Sequence, residues 1–156
     1  MKSIFFYQTV IGKIGIADNG EAIIQLTFDD GKIPVDALVK ETPLIKEAAQ
    51  QIKEYLSGKR KVFDIPIAAN GTVFQQNVWE ALKAIPYGET RSYKDIAESI
   101  GQPKACRAVG MANNRNPIAL MVPCHRVIGA NGKLVGYGGG LDIKEKLLNL
   151  EKTHRN

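Results

Sequence analysis

Ser92-Tyr93-Lys94-Asp95-Ile96-Ala97-Glu98-Ser99-Ile100-Gly101-Gln102-Pro103-Lys104-Ala105-Cys106-Arg107-Ala108-Val109-Gly110-Met111-Ala112 is the stretch that decides the fold. Ser92 with Asp95 three residues later is a capping box, each side chain able to satisfy the other residue's backbone N–H. It opens a short helix that ends at Gly101, where a left-handed residue is needed. Pro103, its φ already helical, opens a second helix running to about residue 112. Two short helices around a glycine-containing turn have the pattern of a helix-turn-helix.

Working outward, Thr72-Val73-Phe74-Gln75 is a second capping box, followed by Phe74, Val78, Leu82 and Ile85 on one helical face. Pro86-Tyr87-Gly88 stops that helix. Residues 116–127 read as loop and strand. Residues 129–140 are glycine-rich, with Asn131-Gly132 as a hairpin tip. Residues 141–151 form a closing helix with Leu141, Leu147, Leu148 and Leu150 inward. At the other end, residues 3–10, 13–17 and 22–28 are strands, and Asp18-Asn19-Gly20 is a hairpin turn because Asn and Gly tolerate positive φ. Thr42 and Pro43 start a helix with the stripe Leu44, Ala48, Ile52 and Leu56, ended by Gly58. Residues 61–67 are expected as a further strand. Ala68-Ala69-Asn70-Gly71 is the linker candidate, giving domains 1–70 and 71–156.

The chain has 156 residues, 44% hydrophobic and 24% charged, which excludes disorder and collagen-like repeats. No apolar run approaches the ~20 residues of a membrane span, and the start, MKSIFFYQTVIGKIG, lacks the features of a signal peptide. Two cysteines cannot make a disulfide framework, so a reducing, cytoplasmic compartment is expected. The net charge is +5. Residues 1–70 hold nine basic and nine acidic side chains, so the whole excess lies in residues 71–156. A local basic excess suits a polyanion partner.

The densest chemistry is Pro123-Cys124-His125-Arg126-Val127. Positive charge beside a cysteine favours the thiolate, which is the attacking form. Adjacent side chains point apart on a helix or strand, so one bridging water is the expected proton path between Cys124 and His125. On the pair alone, a buried structural cysteine beside a surface histidine stays open. Cys106 reads as packing and His154 as a solvated tail residue. Two cysteines and two histidines without ligand spacing argue against a metal site. Gly136-Tyr137-Gly138-Gly139-Gly140 lacks phosphate-loop and dinucleotide spacing, so neither a metal nor a cofactor is expected.

The run from Asn116-Pro117 through Pro123-Cys124-His125-Arg126-Val127 resembles the active-site signature of the O6-alkylguanine-DNA alkyltransferases. The resemblance extends to Phe74-Gln75-Gln76-Asn77-Val78-Trp79, Ile85 through Tyr93, Arg107-Ala108-Val109-Gly110, Val135-Gly136-Tyr137, Gly139-Gly140-Leu141 and Lys144-Glu145-Lys146-Leu147-Leu148. It implies an α+β chain, an N-terminal antiparallel-sheet α/β domain followed by a mainly helical domain with a winged helix-turn-helix. It implies a monomer acting on double-stranded DNA that carries O6-alkylguanine, and by extension O4-alkylthymine, with the alkyl group moved irreversibly to Cys124. His125 is then the water-mediated base, Glu151 the carboxylate that orients it, and Asn116 the tie of the active-site turn. Tyr93 is the phenol near guanine N3. The backbones of Val122, Cys124 and Val127 read the base edge, with Tyr137 and Gly138 beside it. Arg107 fills the gap left by the flipped base, and Lys104, Arg115 and Arg126 join it as DNA contacts.

Two departures from some relatives bear on bulky alkyl groups: Gly138 stands where they have a serine, and Ala119 where they have a proline. The zinc of certain relatives needs N-terminal cysteines, and this chain has none. A module that binds alkylated bases without repair would lack the cysteine. A Cys-His hydrolase would need an oxyanion hole that no motif here supplies.

Overall fold

The structure is a computed structural model, described for residues 1–28, 33, 35–132, 134, 137 and 140–155. The chain divides into two compact units, Met1–Ala69 and Asn70–Asn156.

The first unit is a four-stranded sheet with one helix. Strands β1 (Lys2–Thr9), β2 (Gly12–Asp18), β3 (Ile23–Phe28) and β4 (Ala37–Val39) lie in the order β3-β2-β1-β4. The β1–β2 and β2–β3 pairs are antiparallel, but β4 runs parallel to β1. The sheet is therefore mixed rather than purely antiparallel, and β4 is a strand the sequence did not announce, being three residues long. The β2–β3 turn is closed by the Asn19 side chain, whose Oδ1 accepts from Glu21 N and Ala22 N at 2.9 Å each. Of that turn, only Gly20 has positive φ, at 95°. The expected strand over residues 61–67 reduces to one bridge, Ile67 beside Ile23. Pro66 there has no N–H to extend a ladder.

Helix α1 (Pro43–Leu56) begins at Thr42, whose Oγ1 accepts from Ile45 N at 3.1 Å, and Gly58 follows its end at φ 80°. Its buried face is Ile45, Ala48, Gln51, Ile52 and Tyr55, rotated from the expected stripe so that Leu44 and Leu56 lie at its margins. Gln51 belongs inside because its side chain exchanges hydrogen bonds with the backbone of Asp64. The Thr42 hydroxyl also donates to buried Asp18 Oδ2 at 2.6 Å.

The second unit is mainly helical, matching the expected α+β class. Helix α2 (Val73–Lys83) carries the Thr72–Gln75 capping box and buries Val78, Trp79 and Leu82. Gly71 is more than linker: a Cβ there would lie 2.5 Å from the Trp79 ring. After β5 (Arg91–Ser92), helix α3 (Tyr93–Ser99) starts on the Ser92–Asp95 capping box. Gly101, at φ 76°, makes the turn. Helix α4 starts later than expected, at Cys106 rather than Pro103, and runs Cys106–Asn114. Ala105 N donates to Gln102 O, so residues 102–105 form a turn first. Helices α2, α3 and α4 pack together, and buried Trp79 Nε1 donates to Ala112 O at 2.9 Å.

Strand β6 (Val127–Ile128) pairs in parallel with β5, Arg91 opposite Val127. Near the expected hairpin tip, Gly132 N donates to Gly129 O at 2.9 Å. The rest of that hairpin, including Lys133, Val135, Gly136, Gly138 and Gly139, falls largely outside the described residues. Helix α5 (Leu141–Thr153) buries Lys144, Leu147 and Glu151, whereas Leu141 is exposed and Leu148 and Leu150 are half-buried. The inward face is thus partly charged, contrary to the all-leucine expectation. Two further readings change. Cys106 is half-buried at the start of α4, outside the core. His154 is half-buried too, its Nδ1 2.9 Å from Leu150 O at the end of α5.

Replacing Thr42 by Val removes the α1 cap and the donor to buried Asp18. The expected loss is about 2 kcal/mol in urea unfolding, with Thr42→Ser close to wild type. A Thr42→Val protein of unchanged stability would mean that the cap and the Asp18 contact contribute nothing.

Candidate active site

The reactive segment is buried throughout residues 118–127. Pro123, at φ −80° and ψ 66°, centres a three-residue turn closed by Cys124 N donating to Val122 O at 2.8 Å, a shape the proline ring favours by fixing φ. Just upstream, Leu120 sits at φ 70° while Met121 N donates to Ala119 O at 2.8 Å. A leucine in that region costs on the order of 1–3 kcal/mol and needs support from its surroundings. Asn116 provides some: its Nδ2 donates to Val122 O at 2.7 Å and its Oδ1 accepts from Ile118 N at 3.0 Å. Asn113, from α4, places Nδ2 3.4 Å from Cys124 O. Cys124–Arg126 then form one 3-10 turn.

Behind this turn lies a buried charge cluster. The Glu151 carboxylate accepts from Arg126 twice, Nε to Oε1 at 2.8 Å and Nη2 to Oε2 at 3.0 Å. His125 Nε2 is 2.6 Å from Oε2, and Gly88 N donates to Oε1 at 3.2 Å. Arg126 Nη1 donates to Ile85 O at 2.7 Å, and its guanidinium lies over the Tyr87 ring. Burial alone would raise the Glu151 carboxyl, but the hydrogen bonds and charges of His125 and Arg126 outweigh it and hold the group at about 2. Burial pushes His125 below its ordinary value, against the pull of Glu151. Because an ionised carboxylate only accepts, the proton facing it belongs to Nε2, and Nδ1 is the basic nitrogen.

Cys124 is 6% exposed. Burial pushes its thiol up, while the Asn116 side chain and the Lys144 ammonium pull it back. Lys144 is fully buried on α5 and donates from Nζ to Val127 O. Burial lowers it to about 8, with the Cys124 charge acting in the opposite direction. Burial first and the charge of Cys124 second raise the phenols of Tyr93 and Tyr137, so both stay protonated at neutral pH and can donate.

Residues 73–153 match the family described as 6-O-methylguanine DNA methyltransferase, DNA binding domain, and residues 5–69 match its ribonuclease-like domain. The chain belongs to the 6-O-methylguanine DNA methyltransferase family. A methylated-DNA–protein-cysteine methyltransferase of Methanosarcina acetivorans is 54% identical over 148 residues, covering 93% of this chain and 95% of that protein. A constitutive counterpart from Bacillus subtilis is 49% identical over 152 residues, 93% of this chain and 92% of that one. The crystal structure of Mycobacterium tuberculosis OGT in complex with DNA superposes with a TM-score of 0.91 at 45% identity, covering 97% of this chain and 94% of that one.

The residues expected of this methyltransferase family fall into three groups here. Cys124, His125, Glu151, Asn116, Val122 and Val127 meet at the reactive turn, and Tyr93 and Tyr137 are electrostatically coupled to Cys124. Arg107, in the first turn of α4, is exposed, as are Lys104 and Arg115. Gly138 lies outside the described residues. Arg126 needs correction: it is 7% exposed, with its guanidinium committed to Glu151 and Ile85 O, and cannot be a DNA contact. Its charge also serves Glu151 rather than the thiol, so the expected thiol-lowering effect of the neighbouring arginine is replaced by that of Lys144. Lys144, Asn113 and the Gly88 amide were missed. Lys144 could have been found from its place three and seven residues before Leu147 and Glu151 on one face of α5.

Glu151→Gln leaves the buried Arg126 charge uncompensated, with an expected cost of about 3–5 kcal/mol at pH 7. The Glu151 carboxyl sits lower in the folded protein than its ordinary value of 4.5. Its stabilisation is therefore complete above pH 4.5 and lost as pH falls towards 2. Urea unfolding from pH 7 down to 3 should show the gap between wild type and Glu151→Gln narrowing below pH 4.5. A gap that widens on acidification contradicts the assigned charge state.

Proposed function

We propose that this protein reverses alkylation damage in double-stranded DNA by taking the alkyl group of O6-alkylguanine, and of O4-alkylthymine, onto Cys124 in a single turnover. The observation that carries this reading is a buried cysteine beside a carboxylate-held histidine, in the same unit as the helix-turn-helix. His125 Nδ1 takes the thiol proton through a water, and Glu151 stabilises the imidazolium that results. The thiolate sulfur attacks the alkyl carbon. The carbon–oxygen bond breaks as the carbon–sulfur bond forms, and the guanine leaves as an anion. Tyr93, kept protonated, supplies a proton near guanine N3, whereas backbone groups expected to read the base edge are already hydrogen-bonded, the Val122 carbonyl to Cys124 N and Asn116 Nδ2 and the Val127 amide to Cys124 O. Water does not displace sulfur from the thioether, so each chain reacts once.

Arg107 enters the base stack and occupies the space of the flipped nucleotide, with α4 in the minor groove and Lys104 and Arg115 near phosphates. Tyr137 borders the substrate oxygen. The protein acts as a monomer in the cytoplasm, the first unit serving as support. Among the described residues, no helix is long and apolar enough to cross a membrane.

Incubation with a duplex containing O6-methylguanine should add the mass of one methyl group per chain, mapped to Cys124. The gain should vanish in Cys124→Ala and persist in Cys106→Ser. Multiple turnover, or modification of Cys106 instead, overturns the reading.

Arg107→Ala should slow repair of the methylated duplex by about tenfold or more, while reaction with the free methylated base changes by less than about twofold, because only paired DNA requires the flipped state to be filled. Single-turnover kinetics on the two substrates decide this. Equal losses on both would remove Arg107 from the flipping step.

A further inference from the structure

The residues that α4 buries are Val109, Ala112 and Asn113, so Asn113 is its one buried polar side chain. It is 1% exposed. Its Nδ2 faces the Cys124 carbonyl at 3.4 Å, while its Oδ1 is buried with no hydrogen-bond partner among the described residues. The orientation is fixed by chemistry: a flipped amide would set its oxygen against the Cys124 carbonyl oxygen, two acceptors face to face. A buried acceptor without a donor is rare in folded proteins and calls for an explanation such as an absent ligand or water.

The surroundings suggest which donor. Gly110 lies one turn before Asn113 on the same face of α4, and a Cβ at Gly110 would stand 3.8 Å from Tyr93 Cε1. Asn113, Tyr93 and Cys124 therefore border one region, where the alkylated base must come to react. Alkylation at O6 removes the hydrogen from guanine N1. The pairing edge of that base then keeps one N–H donor group, the N2 amino group.

We propose that Asn113 is a specificity-determining residue, its Oδ1 accepting from the N2 amino group of the flipped O6-alkylguanine while its Nδ2 steadies the Cys124 carbonyl. The assignment rests on the alkylguanine reading above. It also gives α4 two tasks: exposed Arg107 meets the DNA, and buried Asn113, six residues on, meets the extruded base.

The test compares single-turnover rate constants on two duplexes, one with O6-methylguanine and one with O6-methylhypoxanthine, which lacks the N2 amino group. Wild type is expected to favour the guanine duplex by about tenfold, the effect of one buried hydrogen bond. In Asn113→Ala that preference should fall to within about twofold, chiefly through a slower guanine reaction. Asn113→Asp, which keeps an acceptor in place, should retain the preference even though its charge slows both reactions. Asn113→Ser, whose shorter side chain cannot reach as far, replaces the alanine variant if that variant fails to melt cooperatively. An Asn113→Ala protein slowed equally on both duplexes, its preference intact, overturns the proposal and leaves Asn113 a support of the turn. A wild type that alkylates Cys124 with neither duplex overturns the alkyltransferase reading itself, and the two failures are thus distinguishable.

Discussion

The Glu151 carboxylate is the constraint on which the second unit depends. It is 1% exposed, and an ionised carboxylate out of water is stable only when its oxygens are fully engaged. Four donors from two segments converge on it: two from Arg126 and one from His125 in the reactive turn, and the amide of Gly88. Through Arg126 the network also holds the Ile85 carbonyl at the end of α2. Helix α5, the reactive turn and the loop after α2 are therefore joined at one point. The imidazole of His125 is oriented by the same contact, so fold and reactive geometry share one interaction.

A buried thiol is a poor nucleophile at rest, and Cys124 is buried. Burial drives the group towards its neutral form, with Asn116 and Lys144 opposing that drive. For a protein that reacts once and does not recover, a thiol kept protonated until the base arrives avoids wasteful oxidation and alkylation. His125 is neutral by burial and held by Glu151, and in the proposed reaction it is the group that takes the thiol proton. The phenols of Tyr93 and Tyr137 stay protonated, and in the proposed reaction Tyr93 is the donor to the departing base.

The helix-turn-helix and the reactive turn form one hydrogen-bonded piece. Arg91 and Ser92, immediately before α3, pair with Val127 and Ile128, immediately after the turn. Helix α4 reaches the same turn from the other direction through Asn113, and Asn116 just beyond it holds the Val122 carbonyl. The strained φ of Leu120 is held within this framework. Positioning by rigid neighbours of this kind lets a cysteine meet an extruded base without rearranging its own backbone.

By itself the sequence determined what is local. Capping boxes at Thr72–Gln75 and Ser92–Asp95, the Thr42-Pro43 start, the glycine stops and the first three strands depend on neighbours within a few residues, and all appear in the structure. The Cys124–His125 motif was legible in the chain itself, whereas Asn116 and Glu151 joined it only through the family resemblance. What only tertiary structure decided was the partner of each charge. From the sequence Arg126 is expected as a DNA contact, and Lys144 is given no role. Both are buried because Glu151 and the Val127 carbonyl, distant in sequence, stand where their side chains end. Likewise β4 forms because β1 offers it an edge, and Asn113 turns inward because Cys124 lies beneath α4. Periodicity records which face of an element is apolar; it carries no trace of a polar group whose partner lies on another element, and that is settled only when the elements pack.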